Sequence, residues 1–380
     1  MAVPGPVRSA AGAVNRIERI FRCIDAFQQA HGSIAFVVAL TKKYGDDNAG
    51  VLTVQLAYSL FTTIFPLLLL LDTALALILA SHPGLRHAVL HSAFAQFPIV
   101  GSKLAENIHV MKRNSLFGFA VGIIGLLYGS TGLAGAGMYA MEQIWNIPGA
   151  VRPSCVKRVG RSFTFLAVLG IGLVVTTFLS SFGTFGSHEY WYGVGAEALA
   201  AACNVGLYLA AFRVLTPRQV ASRDLVLGAA FGGIAWSVLQ ATGSYVVGHY
   251  LRDDNAVYAM FGTVLGLLAW IYIGAEVTVY AAELNTVVKR HLWPRGMVQP
   301  PLTAADQHSI ALQAIENQRR PEQEVVTRVR GRPMPQSDYL VTGGHIDEAD
   351  AAVVGTERRV LQTGQTPASS AEEPPRPEPA

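Results

Sequence analysis

Strongly polar side chains stand inside stretches of this sequence that are otherwise oily. Glu276 interrupts LLAWIYIGAEVTVYAAELN, with Glu283 and Asn285 after it; Asp72 interrupts FPLLLLLDTALALILA; Glu197 and Arg213 bracket an Ala-rich run. An ionised, unpaired carboxylate in hydrocarbon costs several kcal/mol, so each acid needs a cation, a proton or water. The chemistry open to such residues is ion pairing, proton exchange or contact with a polar substrate. Glu276 and Glu283 are seven residues apart on one helix face, in the same half of the bundle as Arg213. Two readings follow for Glu276: a structural bond to Arg213 or a tyrosine, or an acid that couples protons or binds substrate. Asp72 and Glu197 fall in the opposite half, facing one cavity or the interface. Glu283 and Asn285 sit at a helix end, where their types suit anchoring of neighbouring helix ends or ligand contact. Gln55, Tyr58 and Ser59 form a polar stripe ahead of Pro66 that lines a water-filled path or ties helices together.

An enzyme would need a nucleophile, an acid–base set or a metal cluster, and none is visible. There is no Walker loop, HExxH, GxSxG or paired-Asp nuclease pattern. His87 and His91 have metal-ligand spacing, but interfacial histidines explain them as well. The three cysteines, Cys23, Cys155 and Cys203, are too few and too scattered for a disulfide framework or a zinc site and are expected as free thiols. The expectation is no catalytic, cofactor or metal residues and no enzyme.

The elements that position these residues follow from composition. Of 380 residues 51% are hydrophobic and 14% charged, against about 25% charged in a soluble domain, so the natural solvent is lipid. Apolar stretches long enough for about 30 Å of hydrocarbon recur six times, at about 53–80, 117–141, 161–182, 194–215, 224–248 and 258–283. The sequence therefore predicts an all-α polytopic membrane protein, with a six-helix domain over 45–295. Pro66 lies in mid-span, where its missing amide donor predicts a kink. Gly118, Gly122, Gly125, Gly129 and Gly132 run along one helix face, and Gly228–Gly232 and Gly262–Gly266 repeat the small-xxx-small spacing, which predicts close helix packing.

Outside the spans, residues 1–14 read as a disordered N-terminus with no cleaved signal. Residues 15–44 read as an amphipathic interfacial helix with its arginines toward anionic headgroups. Segment 81–116 reads as amphipathic helices on the outer face, and 296–380 as a disordered cytoplasmic tail with room for a short helix near Ser309–Arg319. Lys42 and Lys43, the 152–158 loop, Arg213, Arg218 and Arg223, and Lys289, Arg290 and Arg295 mark one side as cytoplasmic, with both termini. Residues 1–300 hold 21 Lys and Arg against 14 Asp and Glu, and 301–380 hold 8 against 12. That excess suits anionic lipid but is too diffuse for nucleic acid.

Three separated motifs carry a family likeness: QLAYSLFTTIFPLLLLL at 55–71, AMEQIWNIP at 140–148 and LLAWIYIGAEVTVYAAELNTV at 267–287. Over roughly 15–295 the chain resembles the YihY/BrkB family of bacterial inner-membrane proteins, historically labelled ribonuclease BN-like. Ala57, Tyr58, Phe65, Pro66, Trp270, Tyr272, Glu283, Leu284 and Asn285 fall on the family pattern, and Glu276 departs from it. The resemblance implies a six-helix plasma-membrane protein with roles discussed as lipid or solute transport and envelope integrity; the residues give the ribonuclease label no support. The expected function is a transporter or lipid translocator. The alternative is a scaffold whose tail binds a cytoplasmic protein, and a homo-oligomer is compatible with either.

Overall fold

A computed structural model describes residues 7–78, 115–149, 154–185, 190–250, 256–299 and 301–320, with short pieces between 322 and 333. The described elements are α1 (Val7–Ala30), α2 (Gly32–Asp46), α3 (Ala49–Ile78), α4 (Ser115–Ile144), α5 (Cys155–Phe185), α6 (Tyr190–Leu215), a 3-10 turn (Ser222–Leu225), α7 (Val226–Tyr250), α8 (Ala256–Arg290) and α9 (Ala304–Glu316). A two-residue ladder pairs Arg328–Val329 with Arg332–Pro333. Helices α3 to α8 coincide with the six expected spans, so the all-α polytopic class holds. Five stretches among the described residues are long and apolar enough to cross a membrane, or up to six if the bent α1–α2 pair counts as one. The 31-residue α5 covers the expected third span.

Each of α3 to α8 packs on its neighbour in sequence, and α8 returns to α3, closing a ring of six helices. The apolar core concentrates at one end of it: Leu52 on α3, Met138, Met141 and Ile144 on α4, Trp145 just beyond, Phe212 and Leu215 on α6, Leu225 and Ala229 by the start of α7, and Val279 and Ala282 on α8 are buried together. Away from this end, apolar side chains such as Ile124, Ile171 and Val238 point outward, as a lipid-solvated surface requires.

The helices end here by the same device. Asn48 after α2, Asn146 after α4 and His291 after α8 take positive φ, at 51°, 48° and 49°. That left-handed residue lets the chain turn back and satisfy late carbonyls: Ile147 N–H donates to Glu142 O at 2.8 Å, and Leu292 N–H to Val287 O at 3.2 Å.

The glycine stripe works as packing. A Cβ on Gly129 would stand 2.9 Å from Thr63 Oγ1, and one on Gly125 2.9 Å from the Pro66 Cβ. Gly228 leaves room for the Ala281 carbonyl and the Asn285 amide, and Gly232 faces Tyr208. Gly122 is buried, Gly266 is half-buried, and Gly132 has open space beside it. The surroundings of Gly118 and Gly262 lie outside the described residues. Helix α3 continues through Pro66 without a break, the ring seated against α4 at Gly125.

Three expected boundaries change. Helix begins at Val7, inside the 1–14 segment expected to be disordered, because VRSAAGAV after Pro6 consists mostly of residues that tolerate helix. The 15–44 helix is two, α1 and α2, bent by 112° at the break around His31. Ile20, Phe21, Ile24 and Phe27 are exposed, while Asp25 and Gln28 are buried against residues 295–297. The structured chain also runs beyond 296 to the end of α9 and, in pieces, to 333. The expected outer segment 81–116 lies outside the described residues apart from the first turn of α4, as does the chain from 334 onward.

Gly129→Val should lower stability by about 1–3 kcal/mol through overpacking against Thr63. Gly132→Ala should leave it unchanged or slightly raised. Thermal unfolding of both variants in detergent checks the contrast.

Candidate functional site

Two polar arrangements form at the core end of the ring. In the first, Arg295 Nε donates to Asp306 Oδ1 at 2.9 Å and Nη1 to Asp46 Oδ2 at 2.6 Å. Lys42 Nζ reaches the same Asp306 oxygen at 3.1 Å and the Gly296 carbonyl at 2.6 Å. Asp306 is also the partner of a capping box: Thr303 Oγ1 accepts from Asp306 N–H at 3.1 Å, and Asp306 Oδ2 accepts from Thr303 N–H at 3.3 Å. Asp25 Oδ1 accepts from Met297 N–H at 2.7 Å, and Gln28 Nε2 donates to Arg295 O at 2.7 Å. These bonds clasp α1, α2 and α9 to the chain leaving α8. Burial pushes the Asp306 carboxyl up, but donors from Gly296, Arg295, Thr303 and Lys42 outweigh it and hold the group well below the usual carboxylate range.

Cations at this end also close the C-termini of helices. Lys43 Nζ donates to Ile144 O at 3.0 Å and Arg290 Nη2 to Trp145 O at 2.7 Å, both at the end of α4. Arg161 Nε donates to Val214 O at 2.8 Å, and its Nη2 also reaches Thr216 O, at the end of α6. At the start of α7, Asn285 Oδ1 accepts from Gly228 N–H at 2.6 Å.

The second arrangement is a groove of about 390 Å³ between α3, α4 and α5. Gln55, Thr131, Tyr139, Arg158 and Ser162 supply its polar atoms, and Gly132, Gly135 and Ala136 keep it open. Arg158 is half-buried, and among the described residues no hydrogen bond or ion pair engages its guanidinium. That sets it apart from Lys43, Arg161, Arg290 and Arg295, each already bonded within the protein.

The described members of the expected transport path stand at separate places. Gln55 lines the groove. Tyr58 points outward at 67% exposure. Arg213 donates to Val220 O at 3.0 Å, and among the described residues it makes no ion pair with Glu276. Glu276 is half-buried next to the stacked Tyr44–Tyr280 pair, whose centroids are 4.4 Å apart. Glu283 is buried with Lys43 and Asp47, and Asn285 anchors α7. The side chains of Asp72 and Glu197 lie outside the described residues. Sequence reasoning missed Arg158 as a groove residue, and missed the roles of Lys43, Asp47, Arg161, Arg295 and Asp306. Two signals were available: the i, i+4 spacing of Lys43 and Asp47, and the TAAD capping pattern at 303–306.

Comparison with known proteins bears on this end directly. A family model described as Virulence factor BrkB matches residues 40–301, more than half of the chain. The chain belongs to the BrkB family. The matched stretch opens three residues before Lys43 and closes after Arg295, so it holds the groove and the helix-capping cations, whereas α9 lies beyond it. A relative, inner membrane protein YhjD of Escherichia coli (strain K12), is 23% identical over 290 residues, covering 70% of this chain and 85% of its own. No solved structure matches. With its apolar helices, this BrkB-family chain is a multi-pass membrane protein similar to one of the inner membrane.

Arg295→Met should cost about 1.5–3 kcal/mol, the range of a hydrogen bond to a charged group. The folded Asp306 pKa lies below the unfolded value of about 3.9, so its contribution is complete above that value and is lost as pH falls through the folded one. Thermal unfolding across acid pH should show Asp306→Asn less stable at neutral pH and less sensitive to acid than wild type.

Proposed function

We propose that this protein moves an amphiphile with an anionic headgroup through the membrane, using the groove between α3, α4 and α5. The supporting observation is the half-buried Arg158, unengaged among the described residues, in a groove of about 390 Å³, a volume typical of small-molecule sites. An unpaired cation flanked by Gln55, Thr131 and Ser162 attracts a phosphate or carboxylate, while Met138, Ala136 and Val159 suit an apolar portion. In this reading the end carrying α1, α2 and α9 is cytoplasmic, supported by the cations gathered there. The protein acts as a carrier and not as an enzyme.

Proteoliposomes with fluorescent anionic lipid, zwitterionic lipid and a labelled small solute test the proposal. Wild type should move the anionic lipid faster than protein-free vesicles, and Arg158→Gln should slow it about tenfold or more, the loss of one charge-assisted bond. Equal rates for wild type and Arg158→Gln, or no activity above empty vesicles, would contradict it. Deleting 335–380 should leave the rate unchanged; a scaffold acting through that segment would instead lose its cellular role.

A further inference from the structure

Lys43 on α2, Asp47 in the α2–α3 turn and Glu283 on α8 form a cluster sealed from solvent, with Lys43 1% and Glu283 0% exposed. Lys43 Nζ donates to Asp47 Oδ2 and to Ile144 O, and stands 3.5 Å from Glu283 Oε2, too far for a good hydrogen bond. Among the described residues no hydrogen-bond donor reaches either Glu283 oxygen or Asp47 Oδ1. Lys43 Nζ thus stands within 4 Å of a carboxylate oxygen of each acid, which gathers the two carboxyl groups around one ammonium.

The other titratable groups nearby make their direct contacts elsewhere. Arg290 donates to Trp145 O and its charge acts on Asp47 from a distance, without an ion pair to either acid among the described residues. Asp46 is bound by Arg295 and Ser309. Glu142 of α4 acts on Arg161, and Tyr280 stacks on Tyr44. Two ionised carboxylates would then have one directly bonded cation, the Lys43 ammonium, in a buried space, with three oxygens lacking donors. Such a state is costly in a way that a single added proton removes.

We infer that Asp47 and Glu283 hold one proton between them, making this cluster a built proton-binding site that locks α2 and the start of α3 onto α8. The shared proton supplies the missing donor and leaves one negative charge beside one ammonium. Removing it sets like charges against each other and loosens α2 from α8. Burial pushes the Asp47 carboxyl above its ordinary range, with Lys43 opposing. A folded pKa raised in this way gives stability that is present at low pH and lost as pH rises through it. The site is independent of what occupies the groove.

Infrared difference spectra of the full chain in nanodiscs, titrated from neutral to alkaline pH in H2O and D2O, test the site. Wild type should show a protonated-acid carbonyl band that shifts in D2O and vanishes at high pH. Glu283→Gln and Asp47→Asn should each lose that component, and unfolding wild type at neutral pH should release one more proton than unfolding Asp47→Asn. Absence of the band from wild type overturns the inference. So does a band left unchanged by whichever of the two variants folds.

Discussion

The structure depends on one constraint: helix ends that meet inside an oily bundle must have their last carbonyls satisfied by the protein itself. At the core end of this ring the task falls to cations from other helices. Lys43 from α2 and Arg290 from α8 both serve the end of α4, and Arg161 from α5 serves the end of α6. Each bond ties elements distant in sequence, so the ring is closed by polar contacts as well as by the apolar core around Trp145 and Phe212. Burying these cations in turn demands anions, and Asp47, Glu283, Asp46 and Asp306 answer that demand.

This arrangement gives the groove its meaning. Several cations of the region already have a partner, and among the described residues Arg158 is placed beside them without one. An unpaired guanidinium at the edge of a groove is an invitation to an external anion, whereas the same residue bonded like Arg161 would be scaffolding. Small residues on α4 serve two ends along one face: Gly125 and Gly129 bring α3 close, while Gly132 and Gly135, a turn further on, leave the gap open.

Much of the fold was legible in the sequence, because a hydrocarbon solvent allows few alternatives. Six apolar runs gave six helices at the expected places, and the stripe from Gly125 to Gly129 read correctly as packing. The site was less legible. Glu276 drew attention as an acid in an apolar run with Arg213 or a tyrosine as expected partners; the tyrosines of its own run were in reach of helical spacing, whereas the Arg213 guanidinium is bonded to Val220 O. Lys43 and Arg290 read as loop charges marking a membrane side, since nothing in a linear sequence shows that they fold back onto the end of α4. Asp25 and Gln28 lie within the stretch read as an interfacial helix; their partners at 295–297 are about 270 residues away, beyond the reach of local pattern. The same separation hid the clasp that extends the structured chain through α9.

The central claim is that Lys43 joins α2, the turn into α3, α4 and α8 at once. Hydrogen–deuterium exchange on the full chain in nanodiscs, comparing wild type with Lys43→Met, tests it most directly. The account predicts that amide protection falls together at 43–52, at 142–147 and at 283–290, while α6 and α7 keep theirs. Protection lost only within α2, or unchanged everywhere, would contradict it.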